Sequence, residues 1–113
     1  MGSFETSDDH KQEAHRTIRV PILVSDVHQA AREMVADLRG WKLVEADDER
    51  HILRCEASGG FLGGTCRVEI RVEGPADLPS AAVHVRSESD GGLFSRDKAI
   101  VADFVRPFRR RIC

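Results

Sequence analysis

The chain has 113 residues, is 41% hydrophobic and carries a net charge of -2 from 17 basic and 19 acidic residues. This length suits a single domain with one core. Near-neutral charge removes the driving force for general binding to phosphate backbones, so we expect no nucleic-acid partner. No apolar run approaches the roughly 20 residues that span a bilayer, and the polar start lacks the apolar stretch of a signal peptide. We therefore expect no membrane association and a cytoplasmic location.

The first residues carry many charges and show no periodicity. Residues 1–15 are therefore predicted to form a disordered tail, followed by a single domain over residues 16–113. From Thr17 apolar and polar residues alternate, which predicts a strand, and Pro21 places that strand at an edge of the sheet or marks its end.

Two segments have the apolar spacing of helices. The first is predicted to begin after Ser25 as N-cap, with Asp26 in its first turn, and to end before Gly40. The second follows the turn SDGG and has an apolar stripe from Leu93 onward. Pro107 is expected to kink or end this second helix near its last turn.

Four strands are predicted between the two helices. They cover Trp41 to Glu45, His51 to Ala57, Cys66 to Glu73, and a last strand that begins at Ala81. The resulting order is β-α-β-β-β-β-α. It predicts an α+β two-layer sandwich, in which an antiparallel sheet of about five strands has both helices on one face. The layout looks like a reduced helix-grip fold, by analogy.

Hairpin registers can be proposed by keeping every apolar residue on the same face. Closing the glycine-rich loop symmetrically places Cys55 opposite Cys66, and pairing Val72 with Ala81 places Arg67 opposite Arg86. Three cysteines are too few and too scattered for a disulfide framework, so we expect reduced thiols. For Cys55 and Cys66, two small core residues are favoured over a redox pair or a cross-strand disulfide.

The second hairpin predicts an anion site at one end of the sheet. Two arginines, small residues and the free backbone donors of a helix N-terminus would meet there. The residues assigned to this site are Arg67, Arg86, Ser87, Ser89 and Gly92. The alternative is a solvated face beside an ordinary glycine-serine turn.

Aromatic and apolar residues gather at the open end of the space between the second helix and the sheet. They are Trp41, Phe61, Leu62, Phe94 and Phe104. They could line a pocket for a small apolar ligand, or they could fill the core.

Arginines cluster at the end of the chain, in RPFRRRIC. They could meet nucleic acid or an acidic partner, and the simpler interpretation is that cations near a helix C-terminus complement its dipole.

Catalytic and metal-binding patterns are missing from the sequence. The five histidines have no metal-ligand spacing and no CxxC accompanies them. There is no nucleophile elbow, no P-loop and no dinucleotide fingerprint. We therefore predict no metal and no cofactor.

The segment that begins at Arg86 resembles a bacterial family of unknown function, number fourteen ninety-nine, which carries R-S-x-S-R-x-G after a β-hairpin. Arg86, Ser87, Ser89 and Gly92 match at the family's spacing, whereas Asp90 stands in place of the second arginine. The order of the elements around the segment is also similar. The resemblance implies a distant member of a family with no established activity.

Three functions remain open at this stage. The first is a non-enzymatic binding module for a small ligand or a protein partner. The second is an enzyme or sensor with the anion site at Arg67 and Arg86. The third is a self-associating domain that forms a homodimer through an edge strand or the exposed sheet face.

Overall fold

The computed structural model describes residues 2–58, 65–89 and 96–112, which contain six strands and two α-helices. The strands are β1 (Gly2–Glu5), β2 (Ile18–Val20), β3 (Trp41–Asp47), β4 (Ile52–Ser58), β5 (Thr65–Glu73) and β6 (Ala81–Ser89). The helices are α1 (Val24–Asp37) and α2 (Asp97–Ile112), and a 3₁₀ turn covers Glu13–His15. The predicted α+β class with an antiparallel sheet is confirmed, with one strand more than expected.

The sheet has the order β1-β6-β5-β4-β3, and β2 pairs with β6 on the same side as β1. Every pair is antiparallel. Side chains alternate along β4 and β5 between buried and more accessible positions, as a sheet covered on one face requires. Both helices contribute to a single core cluster against the buried face.

Each helix buries an apolar stripe against the sheet. In α1 the stripe includes Val27, Ala31 and Val35, and in α2 Phe104 and Phe108 are completely buried. Neither helix in the described ranges has both the length and the apolar character needed to cross a membrane.

The start of α1 differs from the prediction. The N-cap of α1 is Leu23 rather than Ser25, which lies inside the first turn. Of the two effects predicted for Pro107, a kink or an end near the last turn, the proline does not end α2 at its own position, because the helix continues to Ile112. A proline inside a helix removes one backbone hydrogen bond, and the burial of Phe104 and Phe108 on either side holds the helix against the sheet.

The N-terminal segment, for which the sequence predicts a disordered tail over residues 1–15, contains strand β1 and the 3₁₀ turn. Strand β1 pairs with β6, and beyond it the Thr6 amide donates a hydrogen bond to the Val85 carbonyl at 2.9 Å. The Phe4 ring packs edge-on against His15, with 4.7 Å between the ring centroids. The edge of β6 supplies the backbone partners, and no local periodicity in so short a strand reveals them.

The register between β4 and β5 differs by two residues from the predicted one. Cys55 lies opposite Val68 rather than Cys66, and Cys66 lies opposite Ala57. Both thiols are buried and free.

The register between β5 and β6 is also shifted by two residues. Arg67 lies opposite Glu88 rather than Arg86, and Glu69 lies opposite Arg86. A shift of two residues leaves every side chain on its original face, so the rule that apolar side chains face the core cannot distinguish the two registers. The shift replaces a pair of facing arginines by two pairs of opposite charge, which stabilise the sheet.

Candidate functional site

The four described residues of the predicted anion site lie on opposite faces of the sheet. Arg67 and Arg86 are exposed on the outer face, away from the helices. Ser87 and Ser89 are buried on the inner face. Neighbouring residues of a strand point to opposite sides, so β6 separates Arg86 from Ser87. The arginines and the serines therefore cannot form one site, because the sheet lies between them.

A groove of about 390 Å³ runs across the outer face. It crosses strands β3 to β6 and is lined by Val44, Arg54, Cys55, Glu56, Arg67, Val68, Glu69, Arg86 and Glu88. Cys55 and Val68 are buried in the core, so their main chain forms part of the groove floor. The structure thus brings Arg67 and Arg86 together, and it adds Arg54.

Charge alternates strictly along two rows of side chains that cross these four strands. One row is Lys42, Glu56, Arg67, Glu88, and the other is Glu45, Arg54, Glu69, Arg86. Arg54 lies 3.5 Å from a carboxylate oxygen of Glu45 and 3.9 Å from one of Glu69. Arg86 forms an ion pair with Glu88. The groove therefore presents both signs of charge, with no surplus of either among its three arginines and three glutamates.

One wall of the groove is apolar because β3 contains a bulge. The register shifts between Leu43 and Glu45, which leaves Val44 without a partner on β4. Val44 is 58% exposed and lines the groove beside Arg54. Bulges re-aim side chains at sheet edges, and this one adds a hydrophobic contact to a charged surface.

On the inner face, Ser87 and Ser89 form hydrogen bonds with a carboxylate of the chain itself. Ser87 Oγ donates to Asp97 Oδ1 at 2.7 Å, and Ser89 Oγ donates to Asp97 Oδ2 at 2.8 Å. Asp97 is 2% exposed and lies in the first turn of α2. A helix N-terminus favours negative charge, so this carboxylate occupies the place that the sequence assigned to an external anion.

The two core thiols are not poised as nucleophiles. Burial raises the pKa of Cys55 to about 12. Burial also raises the pKa of Cys66, against a smaller opposing effect of a hydrogen bond with Ser87. The thiolate is the reactive form, so these cysteines act as small core residues at neutral pH.

Three aromatic residues, Trp41, Phe104 and Phe108, pack together between α2 and the sheet. Trp41 packs on Phe104 with 5.9 Å between ring centroids, and Phe104 packs on Phe108 at 4.9 Å. Both phenylalanines have no exposed surface. Phe61, Leu62, Gly92 and Phe94 lie outside the described residues.

Sequence reasoning missed several groove residues, namely Val44, Arg54, Glu56, Glu69 and Glu88. The signal for the charged ones was present, because cation and anion alternate along three strands at every second position. The bulge at Val44 has no such signal, since it depends on the pairing of β3 with β4.

Comparison with known proteins identifies the fold and no family. No family model and no curated protein matches the sequence. The crystal structure of Ara h 8.0201 is similar with a TM-score of 0.57 and 13% identity, over 98% of this chain and 94% of that chain. A solution NMR structure of a protein from Thermobifida fusca is similar with a TM-score of 0.52 and 13% identity, over 96% and 85% of the two chains. At such identities the likeness extends to the fold alone.

Proposed function

We propose that the protein is a non-enzymatic binding module that holds a small dipolar ligand in the groove on the outer face of its sheet. The groove itself is the observation that carries this proposal. Its volume of about 390 Å³ lies within the range of small-molecule sites, about 300–1,000 Å³. It is built on four paired strands, which hold its side chains on a rigid support.

The balance of charge in the groove favours a ligand with both an anionic and a cationic group. Its lining contains three arginines and three glutamates. A purely anionic ligand would have to displace Glu88 from Arg86 and leave that carboxylate without its partner. A dipolar ligand replaces both ends of such an ion pair, so that each protein charge keeps an opposite charge.

The apolar part of the ligand would lie on Val44 and on the aliphatic stems of the arginines. Long charged side chains keep their head groups in water while their methylene groups cover apolar surface. Val44 is 58% exposed, so contact with a ligand would remove apolar surface from water. Free amino acids and short peptides have this combination of groups and are suitable probes.

The test is a thermal-shift screen of the twenty free amino acids and a set of dipeptides at about 5 mM, followed by calorimetric titration of the compounds that raise the unfolding midpoint. At least one compound should raise the midpoint. Arg86→Gln and Glu69→Gln should each weaken its binding about tenfold, the size expected for a lost charged hydrogen bond. Arg39→Gln is the matched control, because Arg39 is exposed and does not line the groove.

Two results would overturn the proposal. One is the absence of any stabilising compound, and the other is binding that Arg86→Gln and Glu69→Gln leave unchanged. A dimer in light scattering whose population does not depend on concentration, together with no stabilising compound, would favour the self-associating domain.

A further inference from the structure

A second charged cavity lies on the other side of the molecule, between α2 and the N-terminal segment. Arg106, Arg109 and Arg110 are three and four residues apart, so they share one face of the helix. Together with Gln12, Glu13 and Ala14 they line a cavity of about 570 Å³. The cavity exists because the 3₁₀ turn of the N-terminal segment packs on α2.

The charges in this cavity are unbalanced. Three guanidinium groups face one carboxylate, Glu13, which leaves a surplus of two positive charges (three minus one). That carboxylate lies 3.9 Å from Arg109 Nε. Within residues 2–58, 65–89 and 96–112, neither Arg106 nor Arg110 has a side-chain hydrogen bond or an ion pair. The surplus is therefore not neutralised by the described part of the chain.

A donor in the same cavity also lacks an acceptor. Arg109 Nη2 donates to the Glu13 carbonyl at 3.2 Å, which fixes the guanidinium against the 3₁₀ turn. Its Nε–H is buried and has no hydrogen-bond acceptor in the described structure. Buried donors without acceptors are uncommon and destabilising, and the Glu13 carboxylate oxygen at 3.9 Å is too far away to accept from this one.

The helix dipole does not account for the cluster. Cations in the last turn of a helix are stabilising, which covers Arg109 and Arg110, and Arg111 pairs with Asp37 at 2.9 Å. Arg106 lies before the last turn, and Arg110 four residues further along carries a like charge, an arrangement that destabilises a helix. A bound anion would relieve this repulsion.

We propose that this cavity binds the phosphate group of a small soluble molecule. A phosphate monoester carries about two negative charges at neutral pH, which matches the surplus of two. Its tetrahedral oxygens accept hydrogen bonds from several converging guanidinium groups, whereas a carboxylate offers two oxygens in one plane. Gln12 also lines the cavity, and its side-chain amide can donate a hydrogen bond.

The experiment titrates the full chain with inorganic phosphate and with pyrophosphate at constant ionic strength, by calorimetry and by amide chemical-shift mapping. Saturable binding is expected, with shifts at the 3₁₀ turn and along the C-terminal half of α2. Arg106→Gln and Arg110→Gln should each weaken binding about tenfold. Glu13→Gln should strengthen it, because the surplus of positive charge rises by one.

The controls separate a local site from general attraction between charges. Arg39→Gln removes the same charge from a distant exposed position and should leave binding unchanged. Arg86→Gln should also have no effect here, so failure of the outer groove and failure of this cavity are distinguishable. Because Arg106 and Arg110 are exposed and unpaired in the described structure, their variants should unfold at or above the wild-type midpoint.

Three results would refute the proposal. The first is the absence of saturable binding of either anion. The second is equal weakening by Arg39→Gln and Arg106→Gln, which would indicate net charge alone. The third is binding of a hexaglutamate peptide with no binding of pyrophosphate, which would assign the cavity to an acidic protein segment instead.

Discussion

The hydrogen bonds between Asp97 and two serines should make this carboxylate one of the main determinants of stability. Asp97 is 2% exposed, and its two oxygens accept hydrogen bonds from Ser87 at 2.7 Å and Ser89 at 2.8 Å. The substitution Asp97→Ala removes the acceptor of both hydroxyl groups and leaves them buried. It also removes the negative charge from the first turn of α2.

The expected loss follows from these contacts. A buried hydroxyl group that loses its acceptor costs about 1–3 kcal/mol, and the charge at the helix N-terminus adds about 0.3–1 kcal/mol. The Cys66 thiol remains a hydrogen-bond partner for Ser87, so we expect Asp97→Ala to lower the free energy of unfolding by about 3–4 kcal/mol. Asp97→Asn keeps one acceptor oxygen and should lose about 1–2 kcal/mol.

Urea unfolding followed by circular dichroism measures these losses at constant pH. Asp103→Ala is the matched control, because Asp103 is exposed on the same helix. A double-mutant cycle of Asp97→Ala with Ser87→Ala should give a coupling of about 1–2 kcal/mol. The reasoning is refuted if Asp97→Ala unfolds within about 0.5 kcal/mol of the Asp103→Ala control, the range of ordinary surface substitutions.

Three further predictions concern His51, Asp48 and the two buried cysteines. His51 has a φ of 59°, so His51→Val should be less stable in thermal unfolding than His51→Gly by about 1–2 kcal/mol, while both lose the ring contact with His28. A hydrogen bond with His28, followed in effect by the charge of Arg32, lowers the pKa of Asp48 from its usual 3.8. The stability that the ionised Asp48 carboxylate contributes should therefore be fully present above pH 3.8 and be lost as the pH falls through the lowered pKa. The difference in stability between the wild type and Asp48→Asn should then disappear in acid. Cys55 and Cys66 should resist iodoacetamide at pH 8 in the native protein and react once urea unfolds it, as peptide mass mapping would show.

The helices and the central strands could be predicted from the sequence because their signals are local. The apolar stripe of α1 repeats at helical spacing, and the segment from Cys66 to Glu73 alternates at every residue. The short strand β1 has no such signal. Its four residues are held by the edge of β6, more than eighty positions later in the chain, and only a known partner strand could have revealed it.

The hairpin registers could not be predicted only from the rule that apolar side chains face the core. Shifting β6 by two residues against β5 keeps its inward residues inward. The decisive signal was electrostatic, since the predicted register placed Arg67 opposite Arg86, and like charges in that position are destabilising. A shift of two residues brings Glu88 opposite Arg67 and Glu69 opposite Arg86. A test of cross-strand charges would have selected the observed register.

The candidate site shows that residue types alone do not determine where a bound anion comes from. Small hydroxyl residues beside a helix N-terminus do predict a place for an anion, and the structure has an anion there. The sequence could not tell whether the anion comes from solution or from the chain, because Asp97 lies only eight and ten residues beyond the serines and could have pointed to water. The same question applies to the arginines at the other end of α2. Within the described residues Arg106 and Arg110 have no carboxylate partner, and the titration with phosphate tests whether an anion from solution takes that place.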